Sequence, residues 1–175
     1  FGDFGFTMKA RFEIARTLGP TLSPMNAWLL LQGIETLAVR MDRICANALA
    51  IAQFLQSHRR VAWVNYPGLQ SSPYYHLSQR YMPKGAGGIL CFGVKGGAKA
   101  GEGFINAARF MSHLANVGDA RSLIIHPAST THRQLSESEQ LAAGVPSDLI
   151  RMSVGIESLD DLLWDLDQAL EATAS

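Results

Sequence analysis

Between residues 23 and 57 apolar side chains recur at steps of three and four: Leu31, Ile34, Ala38, Met41, Cys45, Ala48, Ala52 and Leu55. Arg40, Arg43, Asn47, Gln53 and Gln56 fall off that stripe. The period is helical. Ser23 before Pro24 is a start signal, because serine can accept from the free amides of a first turn and proline fits the first helical position. One helix over this span would be roughly 50 Å long at ~1.5 Å per residue, too long for a small domain to cover alone. The spacing therefore predicts either a helix that braces two bodies or a coiled-coil seam.

The remaining signals alternate between helix and strand. Residues 1–5 are Gly- and Phe-rich and read as a connector, and residues 9–17 read as a short helix ended by Gly19-Pro20. Residues 61–66 alternate in strand fashion up to the turn dipeptide Pro67-Gly68. Residues 74–81 read as a short helix, 89–94 as a strand, 101–114 as a helix and 122–126 as a strand ended by Pro127. Ser136 with Glu139 makes a capping box for a helix to Ala143. Residues 150–154 form a fourth strand. Ser158 is placed to cap a last helix, with Asp160 and Asp161 in its positive first turn. Leu159, Leu162, Leu163, Leu166 and Leu170 give that helix its core face. The order predicts an α+β fold: a small, mostly antiparallel sheet with helices on one face, preceded by the long helix.

The 175 residues are 47% hydrophobic and 17% charged, enough for one core or a little more. Lys plus Arg and Asp plus Glu each number 15, so the net charge is zero. That balance argues against nucleic acid as a partner. No apolar run reaches the ~18 residues of a membrane span, so no membrane partner is expected. No signal-peptide pattern follows Phe1, and a first residue other than Met reads as part of something longer. Cys45 and Cys91 sit among apolar neighbours and form no CxxC pair. They read as free thiols in a reducing cytosol, hence a cytoplasmic location.

Most searches for a reactive motif return nothing. Gly85-Ala86-Gly87-Gly88 lacks the third glycine of a dinucleotide fingerprint, and no Gly-Lys-Ser/Thr exists for a phosphate loop. Ser153 has Arg151 where a nucleophile elbow has glycine. His126 and His132, six apart with Pro127 between them, read as two hydrogen-bonded histidines and not as metal ligands. Arg151 is more informative. Ile150 and Met152 flank it in a strand, so alternation turns it to the face opposite theirs. Two readings stay open: a pair with a nearby carboxylate such as Glu157 or Asp148, or a bidentate clamp for a substrate carboxylate.

Several separated stretches together resemble the C-terminal part of the Cys/Met-metabolism family of pyridoxal-phosphate enzymes. They are Gly19-Pro20-Thr21-Leu22-Ser23-Pro24, Gly33-Ile34-Glu35-Thr36-Leu37-Ala38-Val39-Arg40-Met41 and Tyr66-Pro67-Gly68-Leu69. Further on come His126-Pro127-Ala128-Ser129-Thr130-Thr131-His132, Arg151-Met152-Ser153-Val154-Gly155-Ile156-Glu157 and Asp160-Asp161-Leu162-Leu163. The resemblance covers nearly the whole chain, and the Asn116-Val117-Gly118-Asp119-Ala120 wording is most similar to the O-acetylhomoserine sulfhydrylase branch.

The resemblance implies the smaller α+β domain of an aspartate-aminotransferase-like fold. Residues 1–22 would close a cofactor domain or connector, 23–57 would be the bridging helix, and 58–175 the C-terminal domain. By position, Arg151 is similar to the family's arginine for the substrate α-carboxylate. Asn116 would turn its amide to the same carboxylate, and Thr131 would line the pocket near the cofactor lysine. The implied reaction eliminates acetate from O-acetyl-L-homoserine and adds sulfide or a small thiol at Cγ, in methionine and homocysteine biosynthesis. Pyridoxal phosphate would serve the intact enzyme and not be held here. The four lysines, Lys9, Lys84, Lys95 and Lys99, lack the Ser-x-Thr-Lys wording of a Schiff-base lysine. No catalytic residue is expected in this stretch, which alone should be inactive. The partners implied are an amino-acid substrate, the chain's own cofactor domain and further copies in a homotetramer. The alternatives are a cystathionine γ-synthase or methionine γ-lyase domain within the same chemistry, or a non-catalytic oligomerisation module.

Overall fold

The computed structural model describes residues 2–173 and divides into two compact units, Phe1–Ala38 and Val39–Ser175. The first unit is helical almost throughout. A 3-10 turn, Gly2–Phe4, leads into α1 (Gly5–Lys9), a π-helical stretch Ala10–Ala15 and α2 (Arg16–Leu18). Gly19 ends this run in the left-handed region at φ 67°, a conformation that glycine alone adopts without a Cβ penalty. α3 (Pro24–Glu35) starts as its sequence predicts, with Pro24 in the first turn and the Ser23 hydroxyl accepting from the Asn26 amide at 3.2 Å.

The single helix expected over 23–57 is two helices. Thr36 leaves the helical region (φ −100°, ψ 3°), and α4 (Leu37–Ser57) begins after it. Gly33 and the β-branched Thr36 are both weak helix formers, which localises the break. No residue of the segments from Gly2 to Glu35 is buried.

The second unit holds the core. A five-stranded sheet comprises β1 (Val61–Asn65), β2 (Ile89–Val94), β3 (Ser112–His113), β4 (Leu123–Ile125) and β5 (Leu149–Ser153). Their order in the sheet is β1-β2-β5-β4-β3. All neighbours pair antiparallel except β3 with β4, so the sheet is mixed and not purely antiparallel. Four further helices complete the unit: α5 (Tyr75–Tyr81), α6 (Gly97–Ala107), α7 (Glu137–Ala142) and α8 (Leu159–Ala172).

One face of the sheet is the core face. Leu90, Phe92, Ile124, Ile150 and Met152 project from it and are buried with Ala48, Ile51 and Leu55 of α4, Phe104 of α6 and Leu162, Leu166 and Leu170 of α8. Phe92 and Phe104 meet edge to face with centroids 5.5 Å apart, a favoured aromatic geometry.

Three local expectations change for physical reasons. The buried face of α4 includes Asn47, which lay off the apolar stripe; its amide donates to the Gly155 and Glu157 carbonyls at 3.2 and 3.0 Å. The helix expected to reach Leu114 stops at Ala107 because the buried Asp165 carboxylate takes the amides of Arg109, Phe110 and Met111 at 2.8–3.0 Å. Those donors, held by a side chain more than fifty residues away, cannot continue the helix. Ser158 stands at the cap of α8 as expected, but its side chain makes no capping bond. The Ser136–Glu139 capping box forms in full.

Candidate functional site

Arg151 is the third residue of β5, the strand between β2 and β4, and lies opposite Cys91 on one side and Ile125 on the other. Ile150 and Met152 enter the core, whereas Arg151 is only half-buried. Its guanidinium therefore leaves the sheet on the face away from α4, α6 and α8, as strand alternation requires.

Both carboxylates that could have neutralised it are engaged elsewhere. Asp148 accepts from the Trp63 indole N–H at 2.9 Å. Glu157 accepts from the Ser122 amide at 2.5 Å and from the Ser122 hydroxyl at 2.9 Å. Among the described residues, the one side-chain hydrogen bond of Arg151 is a long donation of 3.3 Å from Nη2 to the Asn116 carbonyl. Among the described residues, no carboxylate lies within ion-pair distance of it. A guanidinium this weakly satisfied can take up a planar carboxylate at little cost in lost internal bonds.

Asn116 does meet Arg151, although through its backbone. Its side chain stays within its own loop: Oδ1 accepts from the Val117 amide at 2.8 Å, and Nδ2 donates to Asp119 at 3.4 Å. Asp119 also accepts from the Arg121 amide at 3.0 Å. The amides of Arg121 and Ala120 and the Asn116 side chain hold the Asp119 carboxyl below its ordinary range. Val117 and Gly118 at the loop tip also line a cleft of about 250 Å³, together with Met41, Ile44 and Ser153. The cleft thus lies beside the strand that carries Arg151.

Thr131 belongs to a separate turn. A short 3-10 segment, Pro127–Ser129, follows β4, and the exposed Thr131 hydroxyl bonds to His132 Nδ1 at 2.8 Å. Gln140 of α7, absent from the sequence-based candidates, fastens this turn by donating to the carbonyls of Ala128 and His132 at 3.1 and 3.0 Å. His126 is buried, with Nε2 against the Ser147 carbonyl and Nδ1 against the Ser129 hydroxyl, both at 2.8 Å. A carbonyl only accepts, so Nε2 carries the proton and Nδ1 takes the serine hydroxyl. That leaves neither ring nitrogen for a metal.

His58, Asp167 and Glu171 bring ligand-type atoms within 4.8 Å of one another. However, His58 Nδ1 accepts from the Arg60 amide at 3.2 Å, which places the proton on Nε2, the atom that faces the carboxylates. Glu171 is bound by Arg59 through both oxygens. This is an ion-pair cluster. Cys91, across from Arg151, has its thiol pushed up by burial, with the guanidinium partly opposing.

Pyridoxal phosphate requires an enclosed lysine, which the described residues do not offer. Lys9 pairs with Glu13, Lys95 donates to the Arg59 carbonyl at 2.9 Å, and Lys84 and Lys99 are exposed. The residues present do not fit that group.

The model of the Cys/Met metabolism PLP-dependent enzymes matches residues 4–171. The chain is 49% identical over 170 residues to an O-acetyl-L-homoserine sulfhydrylase of Leptospira meyeri, covering 97% of this chain and 38% of that protein. It is 47% identical over 171 residues to a homocysteine synthase of Schizosaccharomyces pombe, covering 98% and 40% respectively. A crystal structure from Campylobacter jejuni, described as an O-acetylhomoserine (thiol)-lyase with a pyridoxyl-lysine phosphate group, superposes with a TM-score of 0.87 at 44% identity. It is covered over 98% of this chain and 41% of its own. The chain thus spans about two-fifths of the length of these relatives.

Proposed function

Because the chain belongs to the Cys/Met metabolism family of PLP-dependent enzymes, we propose that it is the C-terminal domain of an O-acetyl-L-homoserine sulfhydrylase. In this reading residues 1–22 end the cofactor domain, 23–57 bridge, and 58–175 form the smaller domain that binds the substrate α-carboxylate. The intact enzyme replaces acetate by sulfide or a small thiol at Cγ, in methionine and homocysteine biosynthesis.

The observation that carries the reading is Arg151, a strand-borne guanidinium with no carboxylate partner among the described residues and one long bond to a backbone carbonyl. Its work is binding and orientation. A bidentate pair with the α-carboxylate fixes the amino acid's Cα relative to the reacting centre, and that positioning is worth more than the bond alone. The Asn116 loop supplies the adjacent wall through its carbonyl and through Val117 and Gly118. In this reading Thr131, on the separate Gln140-fastened turn, lines the pocket near the cofactor lysine. No proton transfer or covalent step is assigned to this chain, since its lysines do not fit a cofactor site. The cofactor domain supplies those groups, and the exposed apolar side chains of α3 (Trp28, Leu29, Leu30, Leu31, Ile34) are the surface it would cover. The enzyme is expected to be a homo-oligomer.

Relatives called sulfhydrylase and homocysteine synthase support this branch over the cystathionine γ-synthase alternative. Product analysis with sulfide against cysteine as nucleophile separates the two. In the intact enzyme, Arg151→Ala should raise KM for O-acetyl-L-homoserine about tenfold to a hundredfold, given ~1.5–3 kcal/mol for a charge-assisted bond. An unchanged KM removes the carboxylate assignment.

A further inference from the structure

We infer that Glu157 is a positioning residue for the substrate carboxylate: through Ser122 it fixes the loop that carries Asn116 and thereby sets the pose of Arg151. The inference rests on the carboxylate-binding reading of Arg151 and extends it to a residue that touches neither substrate nor Arg151.

The geometry is a small closed network. Glu157 follows β5 and is half-buried. One carboxylate oxygen accepts from the Ser122 amide at 2.5 Å and the other from the Ser122 hydroxyl at 2.9 Å. The same hydroxyl accepts from the Gly155 amide at 2.9 Å, so Ser122 is gripped from both ends of the Gly155–Glu157 turn. The Ile156 amide donates to the Ala120 carbonyl at 3.0 Å. A Cβ at Gly155 would collide with that carbonyl, so the two backbones meet where only glycine fits. Asn47 holds the turn from behind, donating to the Gly155 and Glu157 carbonyls.

The pinned stretch Ala120–Ser122 is the C-terminal anchor of the Asn116 loop. Asp119 links it to the loop tip by accepting from both the Arg121 amide and the Asn116 side chain. The Asn116 carbonyl then receives Arg151. The chain of contacts runs from Glu157 to Ser122, along the backbone to Arg121, and through Asp119 and Asn116 to Arg151. It also has an electrostatic consequence. A carboxylate six residues along from Arg151 is satisfied by two uncharged donors of Ser122, which keeps the guanidinium's charge for an incoming anion.

The test uses the intact enzyme, with O-acetyl-L-homoserine and sulfide as the probe reaction. Glu157→Ala should raise KM for the amino acid at least tenfold, with a smaller effect on kcat. Glu157→Gln should give an intermediate rise: its amide oxygen still accepts from the Ser122 N–H, while its NH2 cannot accept from the hydroxyl. A purely structural role would lower the midpoint of unfolding and the folded fraction and leave KM unchanged. If Glu157→Ala does not fold, Glu157→Gln and Ser122→Ala decide by the same KM criterion. The double variant Arg151→Ala/Glu157→Ala should have the KM of Arg151→Ala alone, because one residue acts through the other. A wild-type KM in folded Glu157 variants, with KM raised in Arg151→Ala, overturns this inference and spares the carboxylate reading. An unchanged KM in Arg151→Ala overturns the reading itself.

Discussion

The stretch up to Ala38 and the stretch from Val39 onward are comparably rich in apolar side chains, and those side chains meet opposite fates. In the first unit Trp28 is 54% exposed and Leu30 and Ile34 are 57% and 60% exposed. In the second, Phe92, Phe104, Ile150 and Met152 are fully buried. Helix formation in the first unit thus draws on caps and propensity (Ser23, Pro24 and Gly19), whereas the second unit is held by tertiary burial at roughly 25 cal/mol per Å² of apolar surface. Apolar residues that local packing does not use are what a surface made for another body looks like. The contrast separates the part of the chain that folds around its own core from the part whose apolar side chains stay exposed.

The sharpest way to break the contrast is to remove a large apolar side chain from each unit. Phe104→Ala should destabilise the second unit by about 3–5 kcal/mol, read by urea denaturation. Leu30→Ala in α3 should cost under about 0.5 kcal/mol in the same assay. Comparable losses at both positions would mean that the two units share one core. Asp165→Ala follows in size: it strands the amides of Arg109, Phe110 and Met111, for about 3 kcal/mol. Its signature is loss of amide-exchange protection at those three residues. If protection persists, Asp165 is not what ends α6.

Smaller effects sharpen the site half of the comparison. Burial raises the Cys91 thiol and Arg151 partly opposes this. Thiol-reagent modification of Cys91 at pH 8 should therefore be slower than for a free cysteine, and slower still in Arg151→Ala. Acceleration in that variant would show that Arg151 shields Cys91 sterically instead of holding its charge near. The Asp119 carboxyl lies below its ordinary range through the Arg121 and Ala120 amides and the Asn116 side chain. A group depressed in the folded state contributes order above its unfolded value, near pH 3.9. That contribution is lost as pH falls through the lower folded value. Protection of the Val117 and Arg121 amides should persist through pH 4 and fade only below it.

Local signals in the sequence were legible wherever the determinants lie within a few residues. The 89–94 strand, the Ser136–Glu139 box and the Gly19 stop all appear as expected. Arg151 on the face opposite Ile150 and Met152 followed from alternation alone. What escaped was set by distant partners. Asn47 lies off the apolar stripe and is buried because carbonyls more than a hundred residues away accept its amide. The 101–114 helix was overextended because Asp165 captures its next donors. The two-residue β3 is too short to carry a period, and only its pairing with β4 makes it a strand. By resemblance the Asn116 amide would face the substrate carboxylate; in the structure its Oδ1 accepts from the adjacent Val117 amide, its Nδ2 donates to Asp119, and its carbonyl faces Arg151.

The central claim is that Arg151 reads the substrate's carboxylate. It is tested most directly by a cycle in the intact enzyme that pairs wild type and Arg151→Ala with O-acetyl-L-homoserine and its carboxyl methyl ester. The account requires wild type to lose about tenfold to a hundredfold in kcat/KM on the ester, and Arg151→Ala to treat the two substrates nearly alike. Equal losses in both enzymes would contradict it, because the carboxylate would then be recognised by some other group.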